Sequence, residues 1–264
     1  MIVFAPKESD PKETRAAMNP ETAKKLVGLG YEIRVETGIG LGSEHVDADY
    51  EVAGAKVVSD RAGELGAADF VARVQKPSAD ELGKLKKGAM HISYMDPFNE
   101  GELLKSMADC GATGVSLEMI PRTTLAQKMD VISSQANIAG YESVIVAAER
   151  LNKILPMMMT PAGTISPAKV FVLGIGVAGL QAIATAKRLG ARVTAFDIRA
   201  EALEQAESLG AKALRIDLGE TGSTDQGYAK ELTLEQIAKQ VEGQAKACAD
   251  SDIVITTAKV FGRK

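Results

Sequence analysis

The chain has no tryptophan, two cysteines, two histidines and only 4% aromatic residues in 264 positions. Each scarcity removes a class of function. Few aromatic side chains leave no platform for stacking unpaired bases, and a net charge of −4 gives no electrostatic footprint for nucleic acid. Cys110 and Cys248 lie far apart without metal-ligand spacing. They read as free residues of a reducing compartment. His45 and His91 have no companion cluster, so no metal site is expected. No apolar run reaches membrane-spanning length, and the N-terminal Met1-Ile-Val-Phe-Ala-Pro6 reads as a first strand, not as a signal peptide. Direct membrane insertion is therefore not expected.

What is present is the composition of a soluble globular protein, 45% hydrophobic and 25% charged, long enough for two domains. Short apolar stretches at residues 2–5, 32–36, 55–58, 70–74, 89–93 and 114–116 predict strands. Helical patterns at 20–29, 62–67, 79–85 and 100–109 alternate with them, which favours a parallel sheet wound on both faces. Gly38, Gly40 and Gly42 mark a loop after the second strand, read as a plain turn in preference to a ligand loop. A helix-compatible run from 133 to 155, with apolar Ile138, Tyr141, Ile145, Ala148 and Leu151, predicts a long helix joining two domains. Met157, Met158 and Met159 read as adaptable packing.

The most specific stretch is Lys169-Val-Phe-Val-Leu-Gly174-Ile-Gly176-Val-Ala-Gly179-Leu, followed by a helical run ending near Gly190 and by Arg192-Val-Thr-Ala-Phe-Asp197. It reads as a doubly covered strand, a glycine turn, an amphipathic helix and a second strand ending in a carboxylate. In a Gly-x-Gly-x-x-Gly turn the first glycine allows the tight bend. The second lets backbone approach a pyrophosphate, and the third lets helix and strand pack closely. The helix carries Leu180, Ile183, Ala184 and Leu189 as its apolar positions. Asp197 falls where a carboxylate meets the adenosine ribose, which favours NAD(H) over NADP(H), because a 2′-phosphate there would face a like charge. Arg199 complicates this, since a nearby arginine can accept a 2′-phosphate; it reads either as a solvated start of the helix at 200–209 or as a contact to the adenosine edge. A strand at 211–216, a polar loop at 219–229 carrying Tyr228, a helix at 232–247 and a strand at 252–257 follow. Tyr228 reads equally as a lid over a ligand and as a ring packed on a helix. These strands make four of the six in a complete dinucleotide fold. A fragment, a short sheet or completion by another segment would each account for that.

Pro121-Arg122-Thr-Thr-Leu-Ala-Gln127-Lys-Met-Asp130-Val-Ile-Ser133-Ser-Gln135-Ala-Asn137-Ile-Ala-Gly140-Tyr141 is unusually polar for a domain junction. Arg122 could meet phosphate or a carboxamide oxygen, Asp130 and Ser133 the carboxamide, and Gln127 whatever lies opposite. The bland reading, a helix N-terminus capped by Asp130 or Ser133, has about equal weight.

This segment closely resembles the Arg–Gln–Asp loop in the NAD(H)-binding component (domain I) of proton-translocating nicotinamide nucleotide transhydrogenases. Pro156-Met-Met-Met-Thr-Pro-Ala-Gly-Thr164, the glycine turn with its helix, and Gly227-Tyr228-Ala-Lys-Glu231 are similar to that family too, and the resemblance covers essentially the whole chain. It implies an α/β fold of two doubly wound, parallel-sheet, Rossmann-like domains, residues 1–132 and 156–264, joined by a helix at 133–155. The second domain is expected to be incomplete at its C-terminus. The resemblance gives Arg122, Gln127, Asp130 and Ser133 the catalytic task of orienting the nicotinamide. Gly174, Gly176, Val177, Ala178 and Gly179 would hold the pyrophosphate and Asp197, Ile198 and Arg199 the adenosine end, with Tyr228 closing a mobile loop. Direct hydride transfer between NAD(H) here and NADP(H) on a partner domain is implied. So are a membrane proton-channel component, a homodimer, and a cytoplasmic location peripheral to the inner membrane. The related alanine dehydrogenases need a lysine in a Val-Lys-x-Pro context and a proton-carrying histidine. The corresponding positions here are Gln75 and Asp96, with Arg15 compatible with either family and Lys76 able to shift into the vacancy. An amino-acid oxidoreductase and a non-catalytic NAD-binding module stand as alternatives.

Overall fold

The computed structural model describes residues 1–217 and 232–258. It divides into two compact units, Met1–Met129 and a second beginning at Asp130. The first unit runs β1 (Ile2–Ala5), α1 (Pro20–Gly28), β2 (Glu32–Glu36), α2 (Asp47–Val52), β3 (Lys56–Val58) and α3 (Arg61–Ala67). It continues with β4 (Phe70–Ala72), α4 (Ala79–Leu82), β5 (Met90–Ser93), α5 (Gly101–Asp109) and β6 (Thr113–Ser116). The second runs α6 (Val131–Arg150), β7 (Met158–Thr160), β8 (Gly163–Ile165), β9 (Lys169–Leu173), α7 (Val177–Arg188) and β10 (Arg192–Phe196). It continues with α8 (Ala200–Ser208), β11 (Lys212–Ala213), α9 (Leu234–Ala249) and β12 (Ile253–Thr256).

The first unit holds a six-stranded sheet ordered β3-β2-β1-β4-β5-β6 with every pair parallel. Its strands bury both faces. Val3 and Ala5 point into one core with Ile33 and Val35, whereas Phe4 points into another with Val71, Leu65 and Leu82. This is the layout expected of a doubly wound sheet. The switch in strand order falls between β1 and β4. There the Glu8 carboxylate accepts the backbone N–H groups of Val74 (2.7 Å) and Gln75 (3.2 Å), and the buried Arg73 spans Glu8 and Glu81.

The glycine loop after β2 has an internal explanation. A Cβ on Gly40 would come within 2.7 Å of the Tyr50 hydroxyl, and one on Gly42 within 2.5 Å of the Thr14 carbonyl oxygen. These glycines let the loop pack on its own unit. Helix α2 has no signature in the sequence pattern, because Asp47-Ala-Asp-Tyr-Glu-Val has a single buried anchor, Tyr50.

The second unit is a parallel sheet ordered β11-β10-β9-β12, with β7 and β8 forming a separate antiparallel pair. Val170 and Val172 enter the core beneath α6 and α7, and Phe171 enters the opposite one with Phe196. The strand expected at 211–216 contracts to two residues. Two expectations about packing are corrected. Ile138 and Tyr141 are exposed, and α6 instead buries Gly140 and Val144, because a Cβ at Gly140 would lie 2.2 Å from the Ala178 carbonyl oxygen. The face of α6 is thus chosen by where the backbone of α7 comes closest. Met157, Met158 and Met159 are exposed as well, forming the first arm of the β7–β8 hairpin, all of whose strand residues face solvent.

Candidate functional site

The glycine turn leaves the C-terminal end of β9, at the switch point between β9 and β12, where open α/β sheets bind ligands. Each of its glycines has a separate reason. Gly174 has φ +88°, and a Cβ there would meet the Ala258 nitrogen at 2.6 Å. A Cβ on Gly179 would lie 2.0 Å from the Gly174 oxygen. Gly176 has neither constraint: its backbone is extended and nothing lies within 4 Å of its Cβ position. No demand of the fold therefore accounts for a glycine at 176, whereas close approach of a ligand to bare backbone would.

Gly176 is also the N-cap of α7 and has no side chain with which to cap it. The first turn of that helix directs N–H groups and the positive end of the helix dipole outward, the ordinary arrangement for a phosphate. Val177 is exposed there, and Ala178 carries the carbonyl against which Gly140 packs.

Asp197 lies beside the turn, not merely after it. Its Oδ2 accepts the Ile175 N–H at 2.7 Å, and the residue is 9% exposed. Burial pushes the Asp197 carboxyl up. The Arg199 side chain and the N–H groups of Arg199 and Ile175 outweigh this and hold it below its usual range. Ile198 packs beneath it against the Phe171 and Phe196 core. Sequence reasoning missed Thr257. It donates from Oγ1 to the Gly174 carbonyl (2.7 Å) and from its N–H to Leu173 (2.8 Å), pinning the turn to the end of β12. Only the neighbouring Thr-Thr-Ala258 hints at it.

The polar junction segment has a mixed outcome. Asp130 is the N-cap of α6: Oδ1 accepts the Ser133 N–H (2.9 Å) and Oδ2 the Ser133 hydroxyl (2.6 Å). The capping reading therefore holds for this pair, and it fixes both side chains as one polar group. Gln127 opens a short 3-10 turn running to Met129 and is exposed, as is Arg122. Tyr228 lies outside the described residues.

In the first unit, Glu13 accepts from Arg15 Nε (2.7 Å) and Nη2 (2.6 Å) and from Gln75 Nε2 (2.6 Å). The Arg15 hydrogen bonds hold the Glu13 carboxyl at about 2 despite its burial. Lys76 is ion-paired with Glu100, not turned into the Gln75 position. Asp96 adopts a left-handed φ of 50° and accepts from Asn99. Among the described residues, no group of three His, Cys, Asp or Glu side chains could hold a metal ion.

Fold and site together define a dinucleotide-binding α/β protein whose glycine turn and acidic strand end belong to one unit. Family models agree: the alanine dehydrogenase/PNT N-terminal domain matches residues 4–139 and the corresponding C-terminal domain matches residues 143–264. The chain belongs to this alanine dehydrogenase/PNT family. It is 44% identical over 270 residues to the first of the polypeptides that make up the NAD(P) transhydrogenase subunit alpha of Rhodospirillum rubrum, covering all of this chain and 70% of that protein. The crystal structure of transhydrogenase from Sinorhizobium meliloti superposes with a TM-score of 0.88 at 48% identity, covering all of this chain and 71% of that one. An alanine dehydrogenase of Bacillus subtilis is 30% identical over 212 residues, 79% of this chain and 55% of that protein.

Proposed function

We propose that the chain is the NAD(H)-binding component of a proton-translocating transhydrogenase, exchanging hydride with NADP(H) held by a separate partner domain. The observation that carries this reading is Gly176, a glycine at the mouth of the turn that the fold itself does not require. In this reading Gly174 to Gly179 and the start of α7 take the pyrophosphate, and Asp197, Ile198 and Arg199 take the adenosine end. Arg122, Gln127, Asp130 and Ser133 orient the nicotinamide, Tyr228 closes over it, and residues 133–155 link domains 1–132 and 156–264.

When bound, NAD(H) supplies the hydride-exchanging C4 position. The protein then has only to hold that ring at near-attack distance and keep water away, because hydride exchange between two nicotinamides moves no proton on the substrates. The capped Asp130–Ser133 pair suits this task, since each locks the other's geometry. A membrane proton-channel component, peripheral attachment to it from the cytoplasm, and a homodimer complete the proposal. No helix among the described residues is long and apolar enough to cross a membrane. The exposed β7–β8 hairpin, with Met159 82% accessible, supports a protein partner on that face.

The amino-acid dehydrogenase reading loses support from Gln75, which is engaged by Glu13, and from Lys76, which is engaged by Glu100. Neither side chain is poised to bind an amino-acid substrate. The decisive assay follows reduction of acetylpyridine-NAD⁺ by NADPH when the chain is mixed with a transhydrogenase NADP(H)-binding domain, beside a version extended to the length of its relatives. We expect turnover only in the mixture, and none with alanine or pyruvate as substrate. Alanine-dependent NADH formation by the chain alone would overturn the reading. NADH binding without turnover in either mixture would leave a nucleotide-binding module.

A further inference from the structure

A carboxylate offers about four lone-pair positions. At Asp197 four donors occupy them. Oδ1 accepts the Arg199 backbone N–H (2.9 Å) and Arg199 Nε (2.9 Å). Oδ2 accepts the Ile175 N–H (2.7 Å) and Arg199 Nη2 (2.9 Å). Arg199 Nη2 also donates to the Ile175 carbonyl at 3.0 Å, so the guanidinium is latched to the glycine turn as well as to the acid.

A ribose diol needs two acceptor positions on this carboxylate. The two backbone donors belong to the turn and to the start of α8 and cannot leave without unravelling them. The guanidinium can, because it sits on a flexible stem and its side chain is 22% exposed. We infer that Arg199 is a specificity-determining latch, which occupies the ribose-accepting face of Asp197 until NAD(H) displaces it. This rests on the ribose assignment made under the proposed function.

The displaced guanidinium stays tethered within one side chain's length of Asp197. It therefore answers a 2′-phosphate with a cation where Asp197 alone would answer with an anion. Arg199 thus acts in opposite directions on the two nucleotides. It competes with the ribose of NAD(H), and it softens the rejection of NADP(H).

The test is a set of equilibrium titrations of the full chain with NADH and with NADPH, read by calorimetry and by reduced-nicotinamide fluorescence, which no tryptophan obscures. Arg199→Met should bind NADH more tightly, by about fivefold, and NADPH more weakly, so that the ratio of the two Kd values widens by roughly tenfold or more. Arg199→Lys offers a point charge without the planar fork. It should gain NADH affinity while keeping most of the NADPH affinity, and it carries the test if the methionine variant does not melt cooperatively. In the unliganded protein, the Arg199 Nε–H resonance should be protected from exchange and should lose that protection on adding NADH.

Equal losses for both nucleotides in both variants, or an unchanged ratio, would overturn the latch. Asp197→Ala separates this from a deeper failure. If it leaves NADH affinity intact, the ribose assignment falls and the latch with it. If it abolishes NADH binding while the Arg199 variants change nothing, only the latch falls.

Discussion

At the scale of single residues, His91 is the most consequential group outside the nucleotide unit. It is 1% exposed on β5, its Nε2 has no hydrogen-bond partner among the described residues, and burial, followed by the nearby Arg73 charge, holds it at about 4. It is neutral in the folded protein at pH 7. The unfolded chain binds its proton near pH 6.5, so between 6.5 and 4 acid favours unfolding. The stabilisation from this group is complete above pH 6.5 and is lost as the pH falls from there through about 4, amounting to about 3 kcal/mol. In urea unfolding, the unchanged chain should therefore lose more stability than His91→Leu, by this amount, as pH falls from 7 to 4. Parallel curves would assign the acid sensitivity to other groups. Gln127 belongs to the chemistry, not to stability. Exposed in its short turn, it holds nothing in the fold, so Gln127→Asn should leave the melting temperature unchanged and NADH affinity nearly so. Hydride transfer should slow roughly ten- to a hundredfold, because a small misplacement of a positioned ring is felt mainly in the reaction step. Equal effects on binding and transfer in stopped-flow measurements would argue against that role.

At the scale of elements, what can be read from the sequence depends on how local its cause is. The turn at Gly174 to Gly179, the helix stop at Gly190 and the carboxylate at Asp197 are legible, since positive φ and strand-end position are written in a few adjacent residues. The six strands of the first unit fall within a residue or two of their expected places for the same reason. The buried face of α6 is not legible: Gly140 is featureless in the chain and acquires its meaning only from Ala178. The α7 pattern is half right, as Ile183 is buried but so are Gly179, Ala182, Thr185 and Ala186, while Leu189 is exposed. A helix covered on two sides loses the single stripe from which a face is read. Thr257 and the Arg199 grip on Asp197 are hidden likewise, because both depend on three-dimensional approach. Gly140→Ala tests the packing account. Its methyl group would press on α7 backbone, so the variant should lose about 1–3 kcal/mol in thermal unfolding and weaken NADH together with it. Ala139→Ser, one residue away and exposed, should do neither. A fully stable Gly140→Ala chain would mean that the two helices separate freely.

At the scale of the whole molecule, two sheets of the same winding serve different ends. In the first unit the switch point is closed by its own charges, Glu8 on the loop after β4 and Glu13 on Arg15 and Gln75. In the second, the corresponding point is left with bare backbone at Gly176. This contrast underlies the proposal of nucleotide binding without amino-acid chemistry. Quaternary structure should follow from the other exposed feature. Sedimentation equilibrium should give a dimer that Met158→Ser with Met159→Ser shifts toward monomer, and a variant as dimeric as the parent would move the interface elsewhere.

The meeting of Gly140 with Ala178 has a mechanical consequence. Elsewhere helices touch through side chains, which bend and absorb small movements like cushions. Here a rigid rod that starts at the Asp130 cap rests main chain on main chain against the first coil of α7. A nudge at one end of such a rod reaches the other almost undamped. Whatever grips the ring end of a nucleotide would thus be felt at once where its phosphates lie.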